Sequence, residues 1–289
     1  MWLEKVGYTL YWCGPCQFGF VYPAPTGGAL SKYYGALASG LSSCCSWEVE
    51  PVHKIGLWES MLGRAEKRIG PGPLLDVGCG AGQFIQVAER AGWGPVTGIE
   101  ISDTAAALAE KASSATIHRG AWSDVSLPAN TYAAAALLDV LEHDRDPAAL
   151  LAYIRNALRP GGCLLITVPN VAGLSLRCFG ASAGVVIPPE HLSYFSRRSL
   201  ARMLAQLGFE LVWVSTCDLY LKDWLRYLPR SARGEVPADA RVAHREGYLH
   251  WYRRLTGPLA LAGIRAANVF LGITGLGDQL VCVARKREA

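Results

Sequence analysis

The chain has 289 residues, of which 51% are apolar, 18% charged and 10% aromatic, enough apolar material for a full-sized core and too much for a disordered chain. A net charge of +4 argues against a protein that holds nucleic acid on a broad cationic surface. The charge is uneven: from Arg197 onward 15 Lys and Arg stand against 8 Asp and Glu, so the last third carries +7, the rest carries −3, and an anionic partner belongs with the C-terminal third.

The first residues, Met1-Trp2-Leu3-Glu4-Lys5, turn polar at once, which argues against a secretory signal. The 9 cysteines are an odd number and several sit in apolar runs, which suits reduced thiols and a cytoplasmic location. In chain order, residues 8–12 read as a strand, Cys13-Gly14-Pro15-Cys16 as a tight turn and residues 17–22 as a returning strand. This is the outline of a zinc knuckle with Cys13 and Cys16 as ligands. Structural zinc wants four ligands, and the next cysteines, Cys44 and Cys45, are adjacent and poorly placed to share an ion, so a metal-free hairpin is the plainer expectation.

A helix over residues 47–69 follows, with Ile55, Trp58, Met61 and Leu62 on one face, and Gly70-Pro71-Gly72-Pro73 then breaks the chain. Beyond it strands are expected over residues 74–77, 96–101, 115–119, 133–139, 163–168, 209–215 and 279–284, with helices between most of them. Ser102 or Asp103, Asp146 with Pro147 behind it, and Ser196 are the candidate helix caps, and Arg159-Pro160-Gly161-Gly162 reads as a turn. The apolar run over residues 258–274 is interrupted by Arg265 and is shorter than the roughly 20 residues of a spanning helix, so it reads as a core or capping helix. The alternation predicts a doubly wound, mostly parallel seven-stranded α/β sheet. The division expected is a knuckle-like hairpin segment over 1–47, a core over 48–217, a helical cap insertion over 218–277 and the last core strand over 278–289.

The sharpest local signal is Leu74-Leu75-Asp76-Val77-Gly78-Cys79-Gly80-Ala81-Gly82, an apolar strand running into three glycines and a helix. Dinucleotide-binding turns use G-x-G-x-x-G; here the third glycine comes one residue early, and Asp76 would repel a pyrophosphate. That opposes an NAD-linked oxidoreductase. Glu100, closing the next strand, can accept both hydroxyls of a ribose. A ligand with adenosine at one end and a positive amino acid at the other accounts for both carboxylates: S-adenosylmethionine.

With Asp139-Val140-Leu141-Glu142-His143, Leu158-Arg159-Pro160-Gly161-Gly162 and Val168-Pro169-Asn170 following in order, the segment resembles the class I S-adenosylmethionine-dependent methyltransferases, and most closely their ubiquinone-pathway O-methyltransferase-like group. The resemblance implies that Asp76, Gly78, Cys79 and Gly80 hold the methionine end, Glu100 and Ile101 the ribose and adenine, and Ala121, Trp122 and Asp139 further parts of the cofactor. Two departures stand out. Ala121 replaces an acid that commonly reaches the adenine amino group, a bond that backbone atoms or Asp124 can supply instead while Trp122 can stack on the base, and Tyr132-Ala133 replaces a common Phe-Asp.

Methyl transfer to a hydroxyl needs alignment, a base and exclusion of water. His143, just past the fourth core strand, and His191, in Pro189-Glu190-His191, are the candidate bases. Glu190-His191 resembles the pair of sugar C-methyltransferases. If Asp139, Glu142 and His143 opened a helical turn they would share a face and, with His191, could ligate a divalent cation, an arrangement similar to that of some O-methyltransferases and small-RNA methyltransferases. The insertion holds 8 Lys and Arg against 4 Asp and Glu over residues 222–254, interleaved with Trp224, Tyr227, Tyr248, Trp251 and Tyr252. Most of these residues read as a solvated helical pair whose aromatics pack on the core; the segment is still the expected determinant of specificity, facing an anionic or an apolar small molecule, with rest on lipid headgroups the less favoured alternative. The expectation is an enzyme that methylates a small-molecule hydroxyl. Its rivals are a nucleotide-sugar C-methyltransferase with His191 as base and a catalytically silent cofactor-binding scaffold subunit.

Overall fold

The computed structural model describes residues 2–26, 28–29, 52–220, 224 and 258–288. Cys44, Cys45, Tyr227, Tyr248, Trp251 and Tyr252 lie outside them.

Seven strands form the main sheet: β4 (Leu74–Val77), β5 (Val96–Glu100), β6 (Thr116–Arg119), β7 (Tyr132–Leu138), β8 (Leu158–Pro169), β10 (Phe209–Cys217) and β11 (Gln279–Lys286). Their spatial order is β10-β11-β8-β7-β4-β5-β6. The pairs β4–β5, β4–β7, β5–β6 and β7–β8 are parallel, while β11 runs antiparallel between β8 and β10. The strand order turns back at β4 and β7, so their C-terminal ends form the crevice where an open α/β sheet takes its ligand.

Helices cover both faces: α1 (Val52–Ile69), α2 (Gln83–Arg90), α3 (Asp103–Ala112), α4 (Pro147–Ala157), α5 (Leu174–Phe179), α6 (Arg197–Gln206) and α7 (Pro258–Thr274). Alternate strand residues point to opposite faces, which splits the core in two. Leu75, Ala135, Leu137, Leu164 and Ile166 pack against Leu150, Ile154 and Leu204 from α4 and α6. Leu74, Ala134, Ala136 and Leu165 pack against Trp58, Met61 and Leu62 of α1 and Phe84 and Ile85 of α2. Each fully buried Leu or Ile contributes about 1.5–3 kcal/mol. The caps are local chemistry: Ser102 accepts from Ala105 N–H, Asp146 from Ala149 N–H, and Ser196 and Ser199 form a reciprocal capping box.

Three details differ from the sequence reading. Residues 159–162, expected as a turn, lie within β8, where the register against β7 slips between Tyr132↔Leu158 and Ala134↔Cys163. The extra residues form an irregularity, with Gly161 at φ 74°, instead of ending the strand. The N-terminal hairpin is part of a four-stranded antiparallel sheet, β1 (Leu3–Lys5), β2 (Tyr8–Cys13), β3 (Phe18–Val21) and β9 (Ser193–Phe195), in the order β1-β2-β3-β9. Its inner side packs Leu10, Val21 and Tyr194 with Val185, Val186 and Leu192 in a third small core. Finally, α7 buries Leu271 but leaves Val269, Phe270 and Ile273 exposed. No helix among the described residues is long and apolar enough to cross a membrane.

Candidate active site

The turn after β4 is built by its glycines. Gly78, Gly80 and Gly82 all have positive φ (74°, 56° and 82°), and a Cβ on Gly78 would lie 2.5 Å from Val140 Cγ2. The turn's amides point back into the fold: Gly78 and Cys79 N–H donate to the Ile99 carbonyl at 2.8 and 3.1 Å, and Gly80 N–H donates to Glu100 Oε2 at 2.9 Å. Amides spent on β5 are not a phosphate cradle, in keeping with the spacing argument. Cys79 contributes main chain here, since its side chain is buried in the α1–α2 core.

Asp76 and Glu100 are both buried at this turn. Burial and then the charge of Glu100 raise the Asp76 pKa to about 8. Burial also raises Glu100, opposed by hydrogen bonds from Ser102, Gly80 and Ile101. Two carboxylates pressed together under cover call for a positive ligand. Ile101, directly beyond them, leaves a large apolar side chain 62% exposed, a surface for a flat ring. These residues fit S-adenosylmethionine: cation demand at Asp76, acceptor capacity at Glu100 and an open apolar shelf. Trp122, expected on the base, has its ring packed on Tyr153 (centroids 5.3 Å apart) and its Nε1–H donated to Asp144, while Ala121 precedes it in extended backbone.

Past β7 the chain turns sharply at Asp139, whose φ of 57° is left-handed, so no helical turn begins there. This corrects the shared-face argument for Asp139, Glu142 and His143. Asp139 instead accepts from Thr167 Oγ1 (2.9 Å) and Gln279 Nε2 (2.6 Å) and pairs with Lys54 Nζ of α1 at 3.2 Å. Burial alone would raise its pKa; Lys54 and the bonds from Thr167 and Gln279 outweigh that and hold it below the usual value. Sequence reasoning missed Lys54, Thr167 and Gln279, although the topology that carries the end of β8 and the start of β11 to this edge was the signal for the last two.

Glu142, His143 and His191 do converge, with one ligand atom from each lying within 4.8 Å of the others. His143 Nδ1 is 2.8 Å from the Glu190 carbonyl and His191 Nδ1 is 2.8 Å from the Val185 carbonyl. A carbonyl can only accept, so each Nδ1 carries hydrogen and each neutral ring keeps its lone pair on Nε2. Burial lowers the pKa of His143, and burial followed by the charge of His143 lowers that of His191 to about 3, so both rings are neutral at pH 7. The rings meet edge to face at 4.8 Å. Glu142 is 1% exposed; its Oε1 is 3.8 Å from His143 Nε2 and its Oε2 is buried with no hydrogen-bond partner. Glu190 thus acts on His143 through its main chain, and the carbonyl that fixes His191 is that of Val185.

The sequence profile of the methyltransferase domain family matches residues 56–214. The chain belongs to the methyltransferase family. A ubiquinone biosynthesis O-methyltransferase of Aromatoleum aromaticum is 27% identical over 180 residues, covering 56% of this chain and 74% of that protein. An S-adenosylmethionine-dependent methyltransferase from Mesorhizobium loti shares the fold, with TM-score 0.53 and 18% identity over 81% of this chain and 98% of that one. So does a phosphoethanolamine N-methyltransferase of Haemonchus contortus solved with S-adenosyl-L-methionine, with TM-score 0.51 and 20% identity over 80% of this chain and 53% of that one. The methyltransferase is an enzyme that uses S-adenosylmethionine.

Proposed function

We propose that the enzyme transfers the methyl group to a hydroxyl oxygen of a small molecule. The observation that carries this is the pair of neutral imidazoles held by main-chain carbonyls at the crevice beside the glycine turn. S-adenosylmethionine, when bound, supplies an electrophilic methyl on a positive sulfur. Asp76 and Glu100 hold its amino-acid and ribose ends. His143, with 30% of its side chain exposed, is the more accessible imidazole and takes the hydroxyl proton at Nε2, beside the Glu142 carboxyl. Lys54 of α1 pairs with Asp139 at the same end of the sheet. The name of the Aromatoleum aromaticum relative supports an oxygen acceptor. The test is transfer of labelled methyl into a panel of phenols, alcohols and amines: methylation of a hydroxyl compound, falling about 10²–10⁴-fold in His143→Gln with cofactor affinity unchanged, is the expected result. Label entering only amine or carbon acceptors would overturn it.

A second reading is favoured by the unpartnered Glu142 Oε2: that Glu142, His143 and His191 hold a divalent cation, with both Nδ1 bonds orienting the ligands. A bound cation would lower the pKa of the substrate hydroxyl. The reading predicts that Mn²⁺ or Zn²⁺ raises the Tm of chelator-treated protein and that His191→Ala abolishes the shift. An unchanged Tm across both metals removes it.

A further inference from the structure

At the sheet edge opposite the glycine turn, the end of α4, the approach to β7 and the end of β11 line a half-open cavity of about 370 Å³. Its polar lining is Asn130, Arg155, Asn156, Lys286 and Arg287, and two apolar residues complete it. Three of these side chains are cations and none is a carboxylate. Lys286 is only 7% exposed, yet its ammonium donates to two neutral acceptors, Asn130 Oδ1 at 2.9 Å and the Leu158 carbonyl at 2.6 Å. Arg155 Nε is buried and has no hydrogen-bond partner. Glu288, the carboxylate nearest in sequence, is engaged by Arg285 at 2.7 Å. The C-terminal dipole of α4 offers about half a negative charge against three positive ones. A buried cation without a counterion is costly, and a guanidinium and an ammonium facing one hollow match the oxygens of a phosphoryl group.

We propose that this cavity binds a small anion through a phosphoryl group, either inorganic phosphate or the phosphate end of a phosphomonoester, with Lys286 and Arg155 as the inner contacts and Arg287 at the rim. The site is separate from methyl transfer: β7 runs between the two edges, and its seven residues span about 20 Å. It places an anion in the basic last third of the chain, on Lys286 and Arg287.

The test is thermal unfolding and titration calorimetry of the full chain with inorganic phosphate and with glycerol 3-phosphate, against chloride at matched ionic strength. A saturable rise in Tm with phosphate alone, or a tighter response to glycerol 3-phosphate, distinguishes the two sources and supports the site. Lys286→Met should abolish the response and, without phosphate, melt no lower than wild type, because an uncompensated buried charge has been removed. Arg287→Gln, an exposed substitution that leaves the fold intact, should weaken binding about tenfold and decides the matter if Lys286→Met does not fold. Binding of S-adenosylmethionine stays unchanged in both. No saturable response in wild type, an equal response in both variants, or a response to RNA but not to phosphate would overturn the proposal.

Discussion

Asp76 is the residue where cofactor chemistry and stability meet. Its raised pKa means that the cofactor-free fold holds a proton that the unfolded chain releases at lower pH. This stabilising contribution is complete below the ordinary carboxylate range and is lost as pH rises toward about 8. A cationic ligand needs the ionised form, so affinity for S-adenosylmethionine should climb with pH and level off near 8. Asp76→Asn should flatten both profiles, raise the Tm of the cofactor-free protein at neutral pH and remove most of the cofactor affinity; calorimetry across pH checks all three. A profile of affinity that is flat in wild type would show that the Asp76 proton is not displaced. The imidazoles behave in the reverse sense, since burial lowers their pKa and keeps them neutral, while burial and then the charge of Asp139 push the Glu142 carboxyl well above its ordinary value.

Among the elements, β9 ties the two sheets together. Three residues long, it pairs with β3 in the register Phe18↔Phe195, Gly19↔Tyr194 and Phe20↔Ser193, and Asn170 at the end of β8 bridges to Phe195. Phe195 is fully buried against Phe18, with ring centroids 5.2 Å apart. Leu192 and Ser193 N–H also donate to the Glu142 carbonyl, so the same short stretch sets the carboxylate and His191. Phe195→Ala should cost about 3–5 kcal/mol of stability, measured by denaturant unfolding, and should disturb His191 more than Asp76. Much of this architecture was readable beforehand and some was not. The parallel strands β4, β7 and β8 declared themselves because each carries an apolar run and leads into its own helix, so the signal is local. The partnership of β3 with β9 is a contact between distant stretches, and a three-residue strand leaves no periodicity to detect. Lys54 reaching Asp139 is likewise invisible to spacing. His143 and His191 could be named from their positions but not brought together, because their meeting depends on how the loop after β8 folds back.

At the scale of the whole molecule, three cores of unequal size predict unequal opening. The two large cores on the faces of the main sheet hold β4, β7, β8 and β11 between them, all with buried side chains throughout or nearly so. The third, smaller core carries the four-stranded sheet and the segment that bears His191. Native-state hydrogen exchange should therefore show amides of β7 and β8 exchanging only with global unfolding, and those of β2 and β3 exchanging earlier through a sub-global opening. Equal protection in both sheets would mean that the third core is fused energetically to the other two. The pairing of β3 with β9 also has a bearing on how damage to the chain would be read. A nick or deletion within β3 removes none of the residues assigned to cofactor or acceptor, yet it strips the hydrogen-bonded backing from the strand that follows His191. A lesion at the N-terminus will therefore present in an assay as a defect of catalysis.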